Sequence, residues 1–286
     1  DPWLTLGAIR HGRWDPTMRI TETAIWRATR TPDGLATLLI ERDPVGFRVR
    51  AWGPGAAHAM GSFPSLVGAG DDPSAFQPQH PLLREAVRRH PGLRFGRTDA
   101  VLEALVPSII EQKVTGLEAW RSYRGLVRAF GERAPGPADL MVLPTPDRLA
   151  GLAYHTFHPF GLEQRRADTI RRAAASAARL ESGRDLPPEA ARAALRTISG
   201  VGEWTAAEVA RAAWGDPDAV SVGDFHLPRL VCRVLASETR GDDARMLELL
   251  EPYRGQRARV IRLIELAGGA QQRRAPRYSP RSIAGL

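Results

Sequence analysis

One cysteine is present in the whole chain, Cys232, set inside the apolar run Leu230–Leu235. A single thiol excludes an intrachain disulfide framework, a four-thiolate cluster and a cysteine zinc site. Its apolar neighbours assign it a buried, structural place. Lysine is almost as scarce: of 40 basic residues one is Lys113 and 39 are arginine, a bias that reads as the codon usage of a GC-rich genome. No apolar run is long enough to cross a bilayer. The opening Asp1-Pro2-Trp3-Leu4 has neither the basic start nor the apolar stretch of a secretory signal, so a cytoplasmic location is expected. Internal repeats are missing too, which excludes a solenoid.

The 286 residues are enough for a sizeable core and two domains. The net charge of +8 favours a polyanionic partner, because neutralising phosphates releases counterions. β-Branched and aromatic residues concentrate in Thr21–Thr29, Leu35–Glu41 and Phe47–Trp52. These read as three strands, separated by the turn sequences Pro32-Asp33-Gly34 and Asp43-Pro44-Val45-Gly46, with one or two short helices packed on them. A Gly, Asp and Pro-rich loop over Gly68–Pro81 is the candidate boundary. Beyond it the pattern is helical: a stripe of Val101, Leu102, Leu105, Val106, Ile109 and Ile110, then segments over Leu117–Phe130, Gln164–Leu180, Pro188–Thr197, Glu203–Trp214, Phe225–Ala236 and Gln256–Leu266. Thr145-Pro146 has the form of a helix start. The expected fold is α+β: a small antiparallel β-rich domain over 1–76, a larger all-α domain over 77–270, and a basic tail over 271–286.

Two features carry chemistry. Ile198-Ser199-Gly200-Val201-Gly202-Glu203-Trp204-Thr205 is a glycine hairpin between two helical patterns. Its glycines permit left-handed backbone angles and close approach of a ligand, and its amides face the same small volume as the following helix N-terminus, which suits a phosphate. The second is Asp224, on the loop Val222-Gly223-Asp224-Phe225 ahead of an apolar helix. Asp is a favoured N-cap, and capping is compatible with catalysis. Asp216 and Asp218 lie in a Gly/Pro-rich stretch and are expected to be solvated. His155, His158 and His226 stand without metal-ligand partners at useful spacing, and Arg165, Arg166, Arg171 and Arg172 read mainly as a solvated face with some phosphate contacts.

Leu195–Ala207 together with Asp224 resembles the helix-hairpin-helix DNA glycosylase superfamily, and within it 3-methyladenine DNA glycosylase II. His90–Arg94, Ile109–Thr115 and Phe160-Gly161-Leu162 with Arg166-Ala167 add to that resemblance, which spans residues 80–265. It implies Gly200, Val201, Gly202 and Thr205 as the DNA-binding hairpin and Asp224 as the catalytic carboxylate. A base pocket of Trp204, Phe225, Glu208 and Tyr253 and a DNA-inserting loop of Gln112, Lys113 and Val114 follow from the same likeness. It also implies no organic cofactor, with a structural Na or K ion on the backbone carbonyls of Arg196, Ile198 and Val201. Bifunctional members begin the second hairpin helix with a nucleophilic lysine; this chain has Trp204 there, so release of a base without strand cleavage is expected. Glu208 stands where the family often has an aromatic, and Lys113 where it often has Leu, Gln or Asn. Both departures bear on lesion choice.

The expected function is therefore a monofunctional glycosylase of base-excision repair, acting as a monomer on double-stranded DNA that contains alkylated purines. Two alternatives stay open: the same reaction on bulky, crosslinked, oxidised or deaminated bases, and a DNA-binding module that catalyses nothing. No membrane partner is expected.

Overall fold

Asp1 and Pro2 begin a short helix, α1 (Pro2–Gly7), in which the Asp1 carboxylate accepts from the Trp3 amide at 2.9 Å. The computed structural model describes residues 1–269; the basic tail over 271–286 lies outside the described residues. Four strands follow: β1 (Met18–Ile20), β2 (Ala24–Thr31), β3 (Gly34–Asp43) and β4 (Gly46–Trp52). They form an antiparallel meander in chain order, with Ile25 opposite Ile40 and Ile40 opposite Val49. The extra strand arises because Met18–Ile20 pairs with Ile25–Arg27, where only one run had been expected. Ala36–Ile40 is buried without interruption. One face of β3 meets α1 and α2 (Ala56–Leu66) through Leu6, Ala59 and Leu66. The other face is covered by Ala134, Leu140 and Val142, around a two-stranded ribbon of β5 (Glu132–Arg133) and β6 (Met141–Val142). A strand buried on both faces reads as a continuous apolar run rather than an alternation.

The helical part comprises α3 (Pro81–Arg89), α4 (Val101–Ile110), α5 (Gly116–Phe130), α6 (Pro146–Gly151), α7 (Tyr154–Phe157), α8 (Gln164–Ala175), α9 (Ala177–Glu181), α10 (Pro188–Arg196), α11 (Glu203–Trp214), α12 (Leu227–Ala236), α13 (Asp243–Leu250) and α14 (Arg257–Ile264). Thr145 caps α6 as expected, accepting from the Arg148 amide. The segment Gln164–Leu180 divides at Ser176 into α8 and α9. α12 starts at Leu227, two residues later than anticipated, because Asp224 holds the preceding amides.

α4 is buried on nearly every side, Ser108 and Pro107 included, so its apolar stripe is wider than the six residues read from the sequence. Both its ends are closed by side chains. Glu181 accepts from the Val101 and Leu102 amides, each at 2.9 Å. The buried Arg166 donates to the Ile110 carbonyl at 2.8 Å. Arg166 is thus an internal bolt, which corrects its place on a solvated face.

Two helical cores result. The larger surrounds α4 and takes in Leu195, Ile198, Val201, Val209 and Ala213 of the α10–α11 pair. The smaller joins α3, α12, α13 and α14 through Leu83, Leu227, Val231, Met246 and Val260. The Gly68–Pro81 loop is stitched into this second body: Asp71 accepts from the Phe95 amide and from Arg259 at 2.5 Å, an ion pair almost wholly buried. The connection from α11 to α12 runs across the seam between the two cores.

Candidate active site

α10 ends at Arg196 and α11 begins at Glu203, and the six residues between them form the hairpin. Gly200 takes φ +97°, and a Cβ there would lie 2.2 Å from the Thr169 hydroxyl, so only glycine fits. Gly202 differs from expectation. Its backbone is extended, with φ −99°, and a Cβ would meet no atom within 4 Å. Its lack of a side chain leaves open space rather than relieving strain. As N-cap of α11 it supplies no side-chain acceptor, so the first-turn amides of the helix remain available to an external anion.

The loop between α4 and α5 is fastened to this hairpin. Gln112 Nε2 donates to the Gly200 carbonyl at 3.0 Å and to the Thr205 hydroxyl at 2.8 Å. Thr205 is 2% exposed and Val201 6%. Both face inward, and neither side chain reaches the surface with the hairpin amides. Lys113 is exposed at the loop tip with φ +58°, a left-handed conformation uncommon for a residue with a side chain. Val114 packs against the larger core. Thr115 and Glu118 then close a reciprocal capping box at the start of α5.

Asp224 is partly exposed on the α11–α12 connection. One carboxylate oxygen accepts from the His226 and Leu227 amides at 2.7 and 2.8 Å; the other accepts from the Trp204 indole N–H at 3.1 Å. Three donors therefore fix its orientation from the α12 side and the α11 side together. Gly223, at φ +88°, makes the turn, and its amide donates to Asp243 at the start of α13.

Trp204, Glu208 and Arg211 lie at i, i+4 and i+7 on α11 and share one face. Glu208 accepts from the Ser221 hydroxyl at 2.5 Å and pairs with Arg211. Burial alone would lower the Arg211 pKa, but Glu208, Glu265 and Asp224 outweigh it and raise it. Ser221 and Arg211 were not foreseen; the i+3 spacing of Arg211 from Glu208 was the available signal. Also unforeseen was His11, which reaches over from the sheet domain to Glu111 at 3.4 Å. Burial pushes its imidazole down, but the Glu111 hydrogen bond and the charges of Asp15, Glu111 and Glu208 push further, and the net shift is upward.

The other anticipated pocket residues, Phe225 and Tyr253, differ in setting. Phe225 is 64% exposed, edge-on to His226 and beneath the Arg229 guanidinium. Tyr253 is 8% exposed in the smaller core, 6.0 Å from the Phe76 ring. Asp216 and Asp218 are not solvated. Asp216 is 5% exposed and pairs with Arg192. Asp218 pairs with Arg257 and accepts the Gly255 and Arg257 amides. Among the described residues no cluster of His, Cys, Asp and Glu has the form of a metal site. Among the same residues no helix is long and apolar enough to cross a membrane.

An N-terminal antiparallel sheet followed by a helical body, with a glycine hairpin beside an oriented aspartate, defines the helix-hairpin-helix class. Residues 106–254 match the family model of the HhH-GPD superfamily base excision DNA repair protein, and the chain belongs to that family. It is 26% identical over 166 residues to DNA-3-methyladenine glycosylase 2 of Escherichia coli K12, covering 57% of each chain. The chain thus spans just over half the length of that curated relative. A 3-methyladenine DNA glycosylase from Archaeoglobus fulgidus has the same fold, with a TM-score of 0.78 at 18% identity over 94% of this chain and 95% of that one. The 8-oxoguanine glycosylase/lyase of Clostridium acetobutylicum, solved with double-stranded DNA, follows at 0.65 and 13%, over 88% and 96%.

Proposed function

We propose that this protein is a monofunctional DNA glycosylase that removes alkylated purines of the 3-methyladenine and 7-methylguanine type from double-stranded DNA, acting as a monomer. The observation that carries the reading is the Asp224 carboxylate, held by three N–H donors and joined to no cation by a salt bridge among the described residues. Cleavage of an N-glycosidic bond builds positive charge on the sugar, and a preorganised carboxylate beside it stabilises that charge. An alkylated purine already carries positive charge. It takes the bonding electron pair and leaves as a neutral base, so no proton donor is required on the leaving side. Water adds to the sugar carbon, and its proton passes to Asp224.

The remaining parts follow in order. The hairpin at Gly200–Gly202 and the first-turn amides of α11 hold a phosphate of the lesion strand without reading sequence. Lys113 fills the gap left by the flipped nucleotide, because it is the exposed member of its loop while Gln112 is tied to the hairpin and Val114 to the core. Trp204 offers the aromatic wall of the base pocket, and Glu208 its polar wall. α10 closes on Arg196, so its terminal carbonyls, with those of Ile198 and Val201, are neutral oxygens suited to a monovalent rather than a divalent cation.

A second reading keeps the reaction and changes the base. Glu208 is joined to Ser221 and Arg211, and Tyr253 is buried in the smaller core. A wall of hydrogen-bonding groups suits an oxidised or deaminated base better than a purely aromatic slot does.

A panel of duplexes tests both readings, carrying 7-methylguanine, 3-methyladenine, 8-oxoguanine or hypoxanthine, with free base measured by chromatography. Release of the methylated purines with strands intact until alkali treatment is the expected result. Preferential release of 8-oxoguanine or hypoxanthine supports the second reading, and release of none removes both. Borohydride trapping tests the monofunctional part. A covalent adduct lost in Lys113→Ala would overturn it, since Lys113 is the sole lysine in the chain.

A further inference from the structure

His11 lies on the loop between α1 and β1, where Asp15 accepts its backbone amide at 2.8 Å. Its imidazole leaves that loop and meets the helical body at two points. Nδ1 is 3.4 Å from a carboxylate oxygen of Glu111, and the ring packs 5.0 Å from the Tyr123 ring. Among the described residues the imidazole makes no other hydrogen bond, so Nε2 keeps its capacity to donate. A carboxylate on one imidazole nitrogen, with the other nitrogen open, is the arrangement that orients a histidine for proton transfer.

Three observations place this imidazole beside α11. Glu111 directly precedes Gln112, whose amide donates to the Thr205 hydroxyl in the first turn of α11. His11 and Ala212 line the same small cavity. The charge of Glu208 acts on the imidazole. Trp204, Glu208 and Ala212 form one row at i, i+4 and i+8, each step about 6 Å along the helix axis. His11 therefore stands over the Glu208–Ala212 part of a row that begins at Trp204, the indole that donates to Asp224. The side chains of His11, Glu111, Glu208 and Arg211 are each between 22% and 27% exposed. The group is crowded but open to the edge of an arriving ring.

We propose that His11 is a general acid for the lesion base, and that through it the site also releases neutral purines such as hypoxanthine. The proposal rests on the glycosylase reading and adds the proton that a cationic alkylated base does not need. The Nε2 proton passes to a ring nitrogen of the purine. The C1′–N9 bond breaks, and its electron pair goes to the base, which departs neutral. Water adds to C1′, its proton passes to Asp224, and His11 takes a proton back from solvent. The surroundings keep the acid charged. Burial pushes the imidazole down, but the Glu111 hydrogen bond and the charges of Asp15, Glu111 and Glu208 outweigh it and raise it. Burial also raises the Tyr123 phenol well above its ordinary value, so that neighbour stays neutral. Arg27 and Glu103, on the same cavity, pair with each other, and Arg211 pairs with Glu208.

The test uses the full chain and duplexes carrying hypoxanthine or 7-methylguanine, with single-turnover release followed between about pH 5.5 and 9. In wild type the ratio of hypoxanthine to 7-methylguanine release should fall roughly tenfold per pH unit once the folded His11 pKa is passed. His11→Gln should lower that ratio by about 10²-fold and flatten its pH profile. Added imidazole should restore part of the hypoxanthine release in His11→Ala, which a merely structural role would not allow. Circular dichroism checks that both variants are folded, and the wild-type profile needs no variant. Absence of hypoxanthine release, a wild-type ratio that does not change with pH, or a ratio that His11→Gln leaves as it was overturns the acid and leaves the glycosylase reading standing. Release of neither base by wild type would remove both.

Discussion

The connection between α11 and α12 holds three aspartates within nine residues, and its two halves treat them in opposite ways. In the first half, Asp216 and Asp218 each face an arginine, Arg192 and Arg257 respectively. In the second half, Asp224 meets only N–H groups of Trp204, His226 and Leu227. Carboxylates with a guanidinium partner have their charge spent inside the protein and serve as fastenings. A carboxylate oriented by neutral donors keeps its charge for something that arrives later. The segment is thus bolted down at one end, while the other end carries a carboxylate that is hydrogen-bonded but, among the described residues, in no salt bridge.

Substitution of Asp224 gives the largest effect expected from this contrast. Asp224→Asn keeps the side chain's size and, through its amide oxygen, the His226 and Leu227 hydrogen bonds, but removes the charge and the acceptor for the Trp204 indole; base release should fall by about 10³-fold or more, while affinity for abasic duplex is kept. Single-turnover excision and a binding titration read the two separately, and near-normal excision would put Asp224 with the fastenings. Asp216→Asn should behave in the reverse manner. It removes the buried charge facing Arg192 and leaves that guanidinium only the exposed Glu189, costing about 1–3 kcal/mol in denaturant unfolding, with excision near wild type wherever the variant is folded.

Trp204→Phe comes next. It keeps an aromatic wall and deletes the one side-chain donor to Asp224, so the excision rate should drop by about tenfold with little change in stability. An unchanged rate would show that the two amides alone suffice.

His11 gives the smallest effect on stability and sharpens the comparison, since it is a partner for Glu111 that is a cation only when protonated. Its folded pKa is raised above the unfolded value. Its contribution is therefore complete below the unfolded pKa of about 6.5 and is lost as pH climbs through the folded pKa. Wild type should lose unfolding free energy relative to His11→Gln as pH rises from about 6.5 through the raised folded pKa. Parallel profiles for the two proteins would refute the linkage.

The hairpin and the Asp224 loop were legible in the sequence because both are local. Glycines, a capping aspartate and two amphipathic runs within thirty residues dictate backbone shape without help from elsewhere. The strands of the sheet were legible for the same reason, apart from β1, whose three residues gain strand character only from pairing with β2. Asp216 and Asp218 were misread because their partners are distant, Asp216 from Arg192 by 24 residues and Asp218 from Arg257 by 39. Gln112 resembled a residue free to enter DNA, whereas its amide spans 88 residues to the Gly200 carbonyl. No periodicity reports such a link. Phe225 and Tyr253 show the same limit for rings: an aromatic in the sequence carries no mark saying whether it faces a pocket, solvent or core.

Lys113 has a further consequence. Among 286 residues it is the one primary amine borne by a side chain, and its left-handed backbone sets it exposed at the loop tip. An amine-selective reagent therefore addresses a single side-chain position, the one proposed to enter the duplex. A fluorophore or crosslinker attached there would need no engineered handle. The rate of its attachment with and without abasic DNA would act as a footprint of the inserted state, made by the native chain.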